Sequence, residues 1–406
     1  MPSSTQTRRG VLAAAGATGV AALTGCLGRV VAGDDRVYHR DAPVGDVRGS
    51  WPTYQHDFAN TGTTDDSGPS VDATVEGVAS GTAAIATSVV LADGRGVVGY
   101  SDGNAEDGAY RGFELGESDA SWTVTYPLGK STPTVAGDAM FVSTAEFLAA
   151  YDARRGELCW RLNTGGLGAV SNAPVLAADT LLSDGGETVY GRDPETGKTR
   201  WQYESGQSGP ALVARDGVAY TTVGADGTST GVAAVDPATG EERWRREGLP
   251  QSVAPLVAGD THLYYAAHRG DVYALSLADG TTQWTATLPL PEDGSAYLAV
   301  ADGRLHAQSP DTTLAALDTE TGGDLWRRTL GGEPHGLGPR PPAIAGDTRF
   351  ALDDDAVYAL DAETGETRWS LALDVEPGLM SAPSVRDDAL YYAGVGREHS
   401  VFRVAD

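Results

Sequence analysis

The chain has 406 residues, 41% of them apolar, with 53 glycines and a formal net charge of -27. Lys130 and Lys198 are its two lysines, so arginine supplies nearly all the positive charge, and such a surface excludes a nucleic-acid binder, which needs clustered Lys and Arg. Two cysteines, Cys26 and Cys159, exclude a Cys-rich zinc site, and the abundant glycine calls for many tight turns.

The first elements are an address. Arg8 and Arg9 form a basic start, residues 13–23 a short apolar run, and Leu23-Thr24-Gly25-Cys26 a cleavage site. The run is too short and too rich in Ala and Gly to span a bilayer as a helix. Arg8-Arg9 resembles a twin-arginine export signal, and Leu23-Thr24-Gly25-Cys26 resembles a lipobox, whose Cys26 takes a lipid and becomes the new N-terminus. Residues 1–25 are therefore expected to be a signal peptide. Residues 26–50 follow as a lipid anchor and flexible tether, because they lack apolar periodicity. The expected location is the outer face of the cytoplasmic membrane.

From Trp51 onward a repeat decides the fold. An apolar strand ends in Asp; two variable residues, Thr-Gly, three more residues and Trp follow. Residues 193–201, 236–244, 318–326 and 361–369 carry it; residues 152–160 and 276–284 vary it, and residues 115–122 are its most degenerate copy. Trp122, Trp160, Trp201, Trp244, Trp284, Trp326 and Trp369 lie 38 to 43 residues apart, the period of a four-stranded blade. Asp and Thr side chains close a turn and Gly takes a positive φ, so the motif is a hairpin between third and fourth strands. The Trp that follows is expected to dock on the neighbouring blade, worth about 2–3 kcal/mol per buried ring.

A second signal recurs after each Trp. Pro133, Pro174, Pro210, Pro255, Pro342 and Pro383, with Tyr297 in the remaining copy, start short apolar runs that read as inner strands around a channel. After Trp369 the chain has runs for three strands, and residues 71–78 can supply the missing fourth. The expected fold is all-β: an eight-bladed propeller of four-stranded antiparallel blades over residues 51–406, its last blade closed by an N-terminal strand, with seven blades as the alternative.

These residues resemble the pyrroloquinoline-quinone (PQQ) type of propeller repeat, as does the opening Trp51-Pro52-Thr53-Tyr54-Gln55-His56-Asp57-Phe58-Ala59-Asn60-Thr61-Gly62. The acidic composition resembles that of extreme halophiles, where salt screens self-repulsion, with a calcium or cationic partner as the alternative. The repeat family implies one of two functions. Quinoprotein dehydrogenases hold PQQ and calcium over the channel and oxidise alcohols or sugars. Cofactor-free lipoproteins of the same repeat bind or scaffold other proteins, among them one in bacterial outer-membrane assembly. An adjacent Cys-Cys pair of the larger dehydrogenases has no counterpart here, nor is there a haem-attachment motif. The expectation is thus a non-catalytic binding or scaffolding protein with no cofactor, no metal and a protein partner at the cell surface.

The seven histidines show no metal-ligand spacing, and Asp353-Asp354-Asp355 reads as a turn without an EF-hand pattern. Among the connections from a Trp to the next inner strand, the longest leads to Pro342. It holds Glu333, His335 and Arg340, which makes it the candidate recognition loop.

Overall fold

The computed structural model describes residues 36–47, 51–80, 85–101, 108–117, 120–126, 131–144, 146–164, 173–207, 211–224, 230–252, 254–290, 296–309, 313–330, 340–352, 356–373, 381–394 and 399–406. Arg8, Arg9, Cys26, Glu333 and His335 lie outside these residues.

Eight sheets, antiparallel but for one added strand, follow one another and form eight blades. Blade 2 shows the plan: Thr134–Ala136 innermost, then Ala139–Ser143 and Phe147–Asp152, with Glu157–Asn163 outermost. Blade 1 starts with the inner strand Val90–Ala92, and blades 3 to 8 start with Val175–Ala177, Leu212–Arg215, Val257–Ala258, Tyr297–Ala301, Ala343–Ala345 and Ser384–Arg386. Second strands such as Ala139–Ser143 and Ala389–Ala393 are buried throughout, since neighbouring blades cover both faces. Outer strands such as Thr199–Glu204 and Thr367–Ala372 alternate between exposed and half-buried, with one face in water.

Blade 8 closes as expected. Its outermost strand is Thr74–Ser80, paired antiparallel with His399–Ala405. Its inner strand meets blade 1, where Ser384 Oγ donates to the Val89 carbonyl at 2.6 Å. Three blades depart from four strands. In blade 1, Ile85–Ala86 and Val90–Ala92 both pair with Arg95–Ser101; in blade 7, Thr63–Thr64 adds in parallel to Ala343–Ala345. In blade 2, Arg36–Tyr38 adds to the outer strand. Part of the expected tether is therefore structured. Arg40 pairs with Asp152 and Glu157, and the Ala42 amide donates to the Glu195 carbonyl of blade 3. A single short edge strand of this kind leaves no periodicity for sequence reading to find.

The repeated tryptophans join the blades. Each sits in an outer strand opposite a small residue of the third strand: Gly112, Ala150, Gly191, Ala234, Ala274, Ala316 or Ala359. The indole Nε1 of Trp122, Trp160, Trp201, Trp244, Trp284 and Trp326 donates to the next blade, to the carbonyls of Ala153, Pro194, Pro237, Leu277, Thr319 and Ala362, at 2.8–3.1 Å. Each acceptor directly follows the motif Asp or its Ser substitute. The same rings lie on the motif glycines. A Cβ on Gly197, whose φ is +73°, would stand 2.7 Å from the Trp160 ring. Gly116 of blade 1 faces open space, because blade 8 brings no Trp to it.

The motif Asp does the expected work. Asp361 Oδ1 accepts hydrogen bonds from the Glu363 and Thr364 amides and the Thr364 hydroxyl, while Arg368 grips Oδ2 at 2.8 Å. Arg368 and these bonds hold the Asp361 carboxyl at about 2.

One joint is chemically different. Arg349 of blade 7 is fully buried where other second strands place Met140, Leu181 or Leu263. Its Nη1 and Nη2 donate to the Ala315 and Ala307 carbonyls of blade 6 at 3.1 and 2.9 Å, and the guanidinium lies 5.4 Å from the Trp326 ring. His306 is also fully buried, 6.0 Å from Trp326, and neither of its ring nitrogens has a partner among the described residues. Burial, with Arg349 and Arg304 nearby, pushes the imidazole well below its usual range.

Two outcomes follow from these contacts. Gly197→Ala combines left-handed strain with a ring clash and is expected to cost about 2–5 kcal/mol; Gly217→Ala has the same φ but open space, and is expected to cost about 1–2 kcal/mol. Urea unfolding compares them, and equal losses would contradict the joint. For His306 the folded value lies below the unfolded one. Its contribution is therefore present above pH 6.5 and is lost as pH falls from there toward the folded value. His306→Phe is expected to reduce the stability difference between pH 7.5 and 5.5 by about 1.4 kcal/mol. An unchanged difference would mean that the imidazole takes up its proton in the folded chain.

Candidate functional site

The inner strands pair with their own blade on one edge only. Their other edge turns amides toward the channel, where an unpaired N–H is costly. Residues 51–64 supply the missing acceptors, running around the ring as a collar. Leu91, Val135, Ala214, Ala258, Val300 and Ile344 donate to the carbonyls of Trp51, Pro52, Phe58, Ala59, Thr61 and Gly62, at 2.6–2.9 Å. These six donors come from blades 1, 2, 4, 5, 6 and 7. Farther on, the Asp388 amide of blade 8 donates to the Ser67 carbonyl.

Side chains add to the stitching. Gln55 Nε2 donates to the Leu298 carbonyl at 2.7 Å, and Asn60 Nδ2 to the Leu256 carbonyl at 3.0 Å. Thr134 donates its hydroxyl to the Pro174 carbonyl, so Thr53 donates to Thr134 Oγ1 at 2.8 Å. The tight path puts Gln55, His56 and Asn60 at φ of 50°, 79° and 56°. Gly62, at 67°, touches Ala299 so closely that a Cβ would stand 2.8 Å from it.

Asp57 holds the bend. Its Oδ1 accepts from the Ala59 and Thr61 amides at 3.1 and 2.9 Å, and its Oδ2 from the Thr61 hydroxyl at 2.7 Å. His56 Nδ1 is 3.7 Å from Oδ2. Burial works against this carboxylate, but His56 and the Thr61 hydrogen bonds outweigh it and hold the group below the usual carboxylate range.

The collar floors a cavity of about 290 Å³ within the channel. Thr53, Tyr54, Asp57, Phe58 and Asn60 form the floor, and residues of blades 2 to 6 form the wall, Thr132, Val175, Thr222, Ala254 and Tyr297 among them. Burial pushes the Tyr54 and Tyr297 phenols up, so both stay protonated. The described wall offers hydroxyls, amides, three aromatic rings and one carboxylate, which suits binding.

Those candidate residues from the sequence that are described fall elsewhere. The seven tryptophans are structural. Of the candidate recognition loop, Arg340 is buried, with Nη1 3.5 Å from the Leu352 carbonyl at the end of the second strand of blade 7. Sequence reading noticed the opening segment but missed its role, although Asp57 and Thr61, four residues apart, are the signal of its bend.

PQQ with calcium, implied by the dehydrogenase branch, can be tested on these residues. Among the described residues that line the cavity no Arg, Lys or His faces the space, which leaves the carboxylates of the quinone without partners. No group of three His, Cys, Asp or Glu among the described residues could hold a metal. Asp57 is already engaged by the collar. The described residues therefore do not fit this group.

Known proteins place the chain. Tetrathionate hydrolase of Acidithiobacillus ferrooxidans is 22% identical over 69% of this chain, and the chain spans 64% of that relative's length. BamB from Moraxella catarrhalis matches in structure with a TM-score of 0.61 and 20% identity, over 82% of this chain and 97% of its own. Quinohemoprotein alcohol dehydrogenase from Comamonas testosteroni gives 0.65 and 14%, over 87% of this chain and 80% of its own. At these identities the structures show a shared fold. Residues 108–252 and 268–398 match the family described as outer membrane protein assembly factor BamB, and the chain belongs to that PQQ-repeat family.

Proposed function

We propose that this chain is an exported, lipid-anchored propeller that binds or scaffolds a protein partner at the outer face of the cytoplasmic membrane, without catalysis. The observation that carries this reading is the collar. It fills the inner edge of the ring and commits Asp57, the carboxylate at the cavity, to backbone support. A carboxylate so engaged is poorly placed as a general base, which must reach the proton it removes. The address comes from Arg8-Arg9 and Leu23-Thr24-Gly25-Cys26. The partner is a protein, as for the family's namesake, whose description names it an assembly factor.

Fractionation and intact mass of the chain from its native membranes test this reading. The chain is expected to begin at Cys26, to carry lipid and to bring a second protein with it. Cys26→Ser is expected to release it from the membrane, and replacing both Arg8 and Arg9 by Lys to keep it inside the cell. Dye reduction on adding PQQ, calcium and an alcohol or sugar would contradict the reading and favour a quinoprotein oxidoreductase.

A further inference from the structure

The cavity above the collar has a chemical character as well as a shape. Its described wall bears one formal charge, that of Asp57. Two backbone amides and the Thr61 hydroxyl orient this carboxylate without cancelling its charge, and His56 Nδ1 lies 3.7 Å from its Oδ2. Tyr54 and Phe58 of the collar and Tyr297 of blade 6 bring three aromatic rings to the same space. An aromatic face attracts a cation through its quadrupole, more strongly where water is excluded. The field of a chain with net charge -27 concentrates cations around it.

We propose, resting on the binding function inferred above, that this cavity binds a small organic cation, an alkylammonium head group, with the charge toward Asp57 and the alkyl groups against Tyr54, Phe58 and Tyr297. A neutral polyol would leave the Asp57 charge uncompensated. An anion would add a second negative charge beside it.

Titration calorimetry of the full chain with tetramethylammonium chloride tests the assignment, at pH 8 and in a constant background of potassium chloride. Methylamine serves as a second probe, and glucose as a neutral one. Saturable one-site binding of tetramethylammonium is expected, with none for glucose. Tyr297→Leu lies outside the collar and is expected to weaken binding by about five-fold or more. Tyr203→Leu, on the outer rim of blade 3, is expected to change nothing. Asp57→Asn is expected to abolish binding, and Tyr297→Leu keeps the test decisive if that variant loosens the collar. Heat that never saturates beyond the potassium background, or glucose bound as tightly, would overturn the proposal. Methylamine recovered unchanged supports the binding reading as well; its consumption would sink that reading while supporting the site. Capture of a protein partner by a chain that binds no ammonium would do the reverse.

Discussion

A ring of inner strands leaves a row of backbone amides facing a channel, and the answer this chain gives to that constraint shapes the rest of the molecule. Water could satisfy those amides in a wide open channel. Here six collar carbonyls of residues 51–62 do so, one for each of blades 1, 2, 4, 5, 6 and 7. The same segment thereby becomes the floor of the cavity, and its side chains become part of the wall. Structure and site share one cause. The carbonyls point outward to the strands, which leaves Tyr54, Asp57 and Phe58 to face the space within.

The collar works with the tryptophan joints. Six indoles tie each blade to the next at the periphery through a donor bond and a ring laid on glycine. The repeat fails where the chain begins and ends. Blade 8 brings no Trp to Gly116, and its outer strand is borrowed from residues 74–80. The seam is closed instead by that borrowed strand, by Ser384 on Val89, and by Ser67 on Asp388. Between blades 6 and 7, Arg349 replaces an apolar contact with two hydrogen bonds to backbone carbonyls and a cation over Trp326. A buried guanidinium without a carboxylate is costly, and the ring face and carbonyls offset part of that cost.

The blades were legible in the sequence because their signals repeat. Asp, Gly and Trp recur at one period, and each has a single physical task. The collar was not legible as such. It touches a different blade every residue or two, so it has no period, and three of its left-handed positions are Gln55, His56 and Asn60 rather than glycine. Arg349 was hidden for another reason. In a strand with one wet face an Arg reads as exposed, but Thr348–Leu352 is covered on both faces. The strand Arg36–Tyr38 pairs along one edge and remains half open, so its pattern matched a tether. The cavity draws on the collar and five blades, which no local window of sequence can bring together.

Hydrogen exchange of the inner-strand amides tests the account most directly. Leu91, Val135, Ala214, Ala258, Val300 and Ile344 should all be strongly protected in the intact chain. Asp57→Ala, which removes the acceptors that bend the collar, should release the amides of blades 4 to 7 together while the Trp-joined third and fourth strands stay protected. Loss of protection confined to residues next to position 57, or protection unchanged, would contradict the claim that one segment holds the inner edge of the ring.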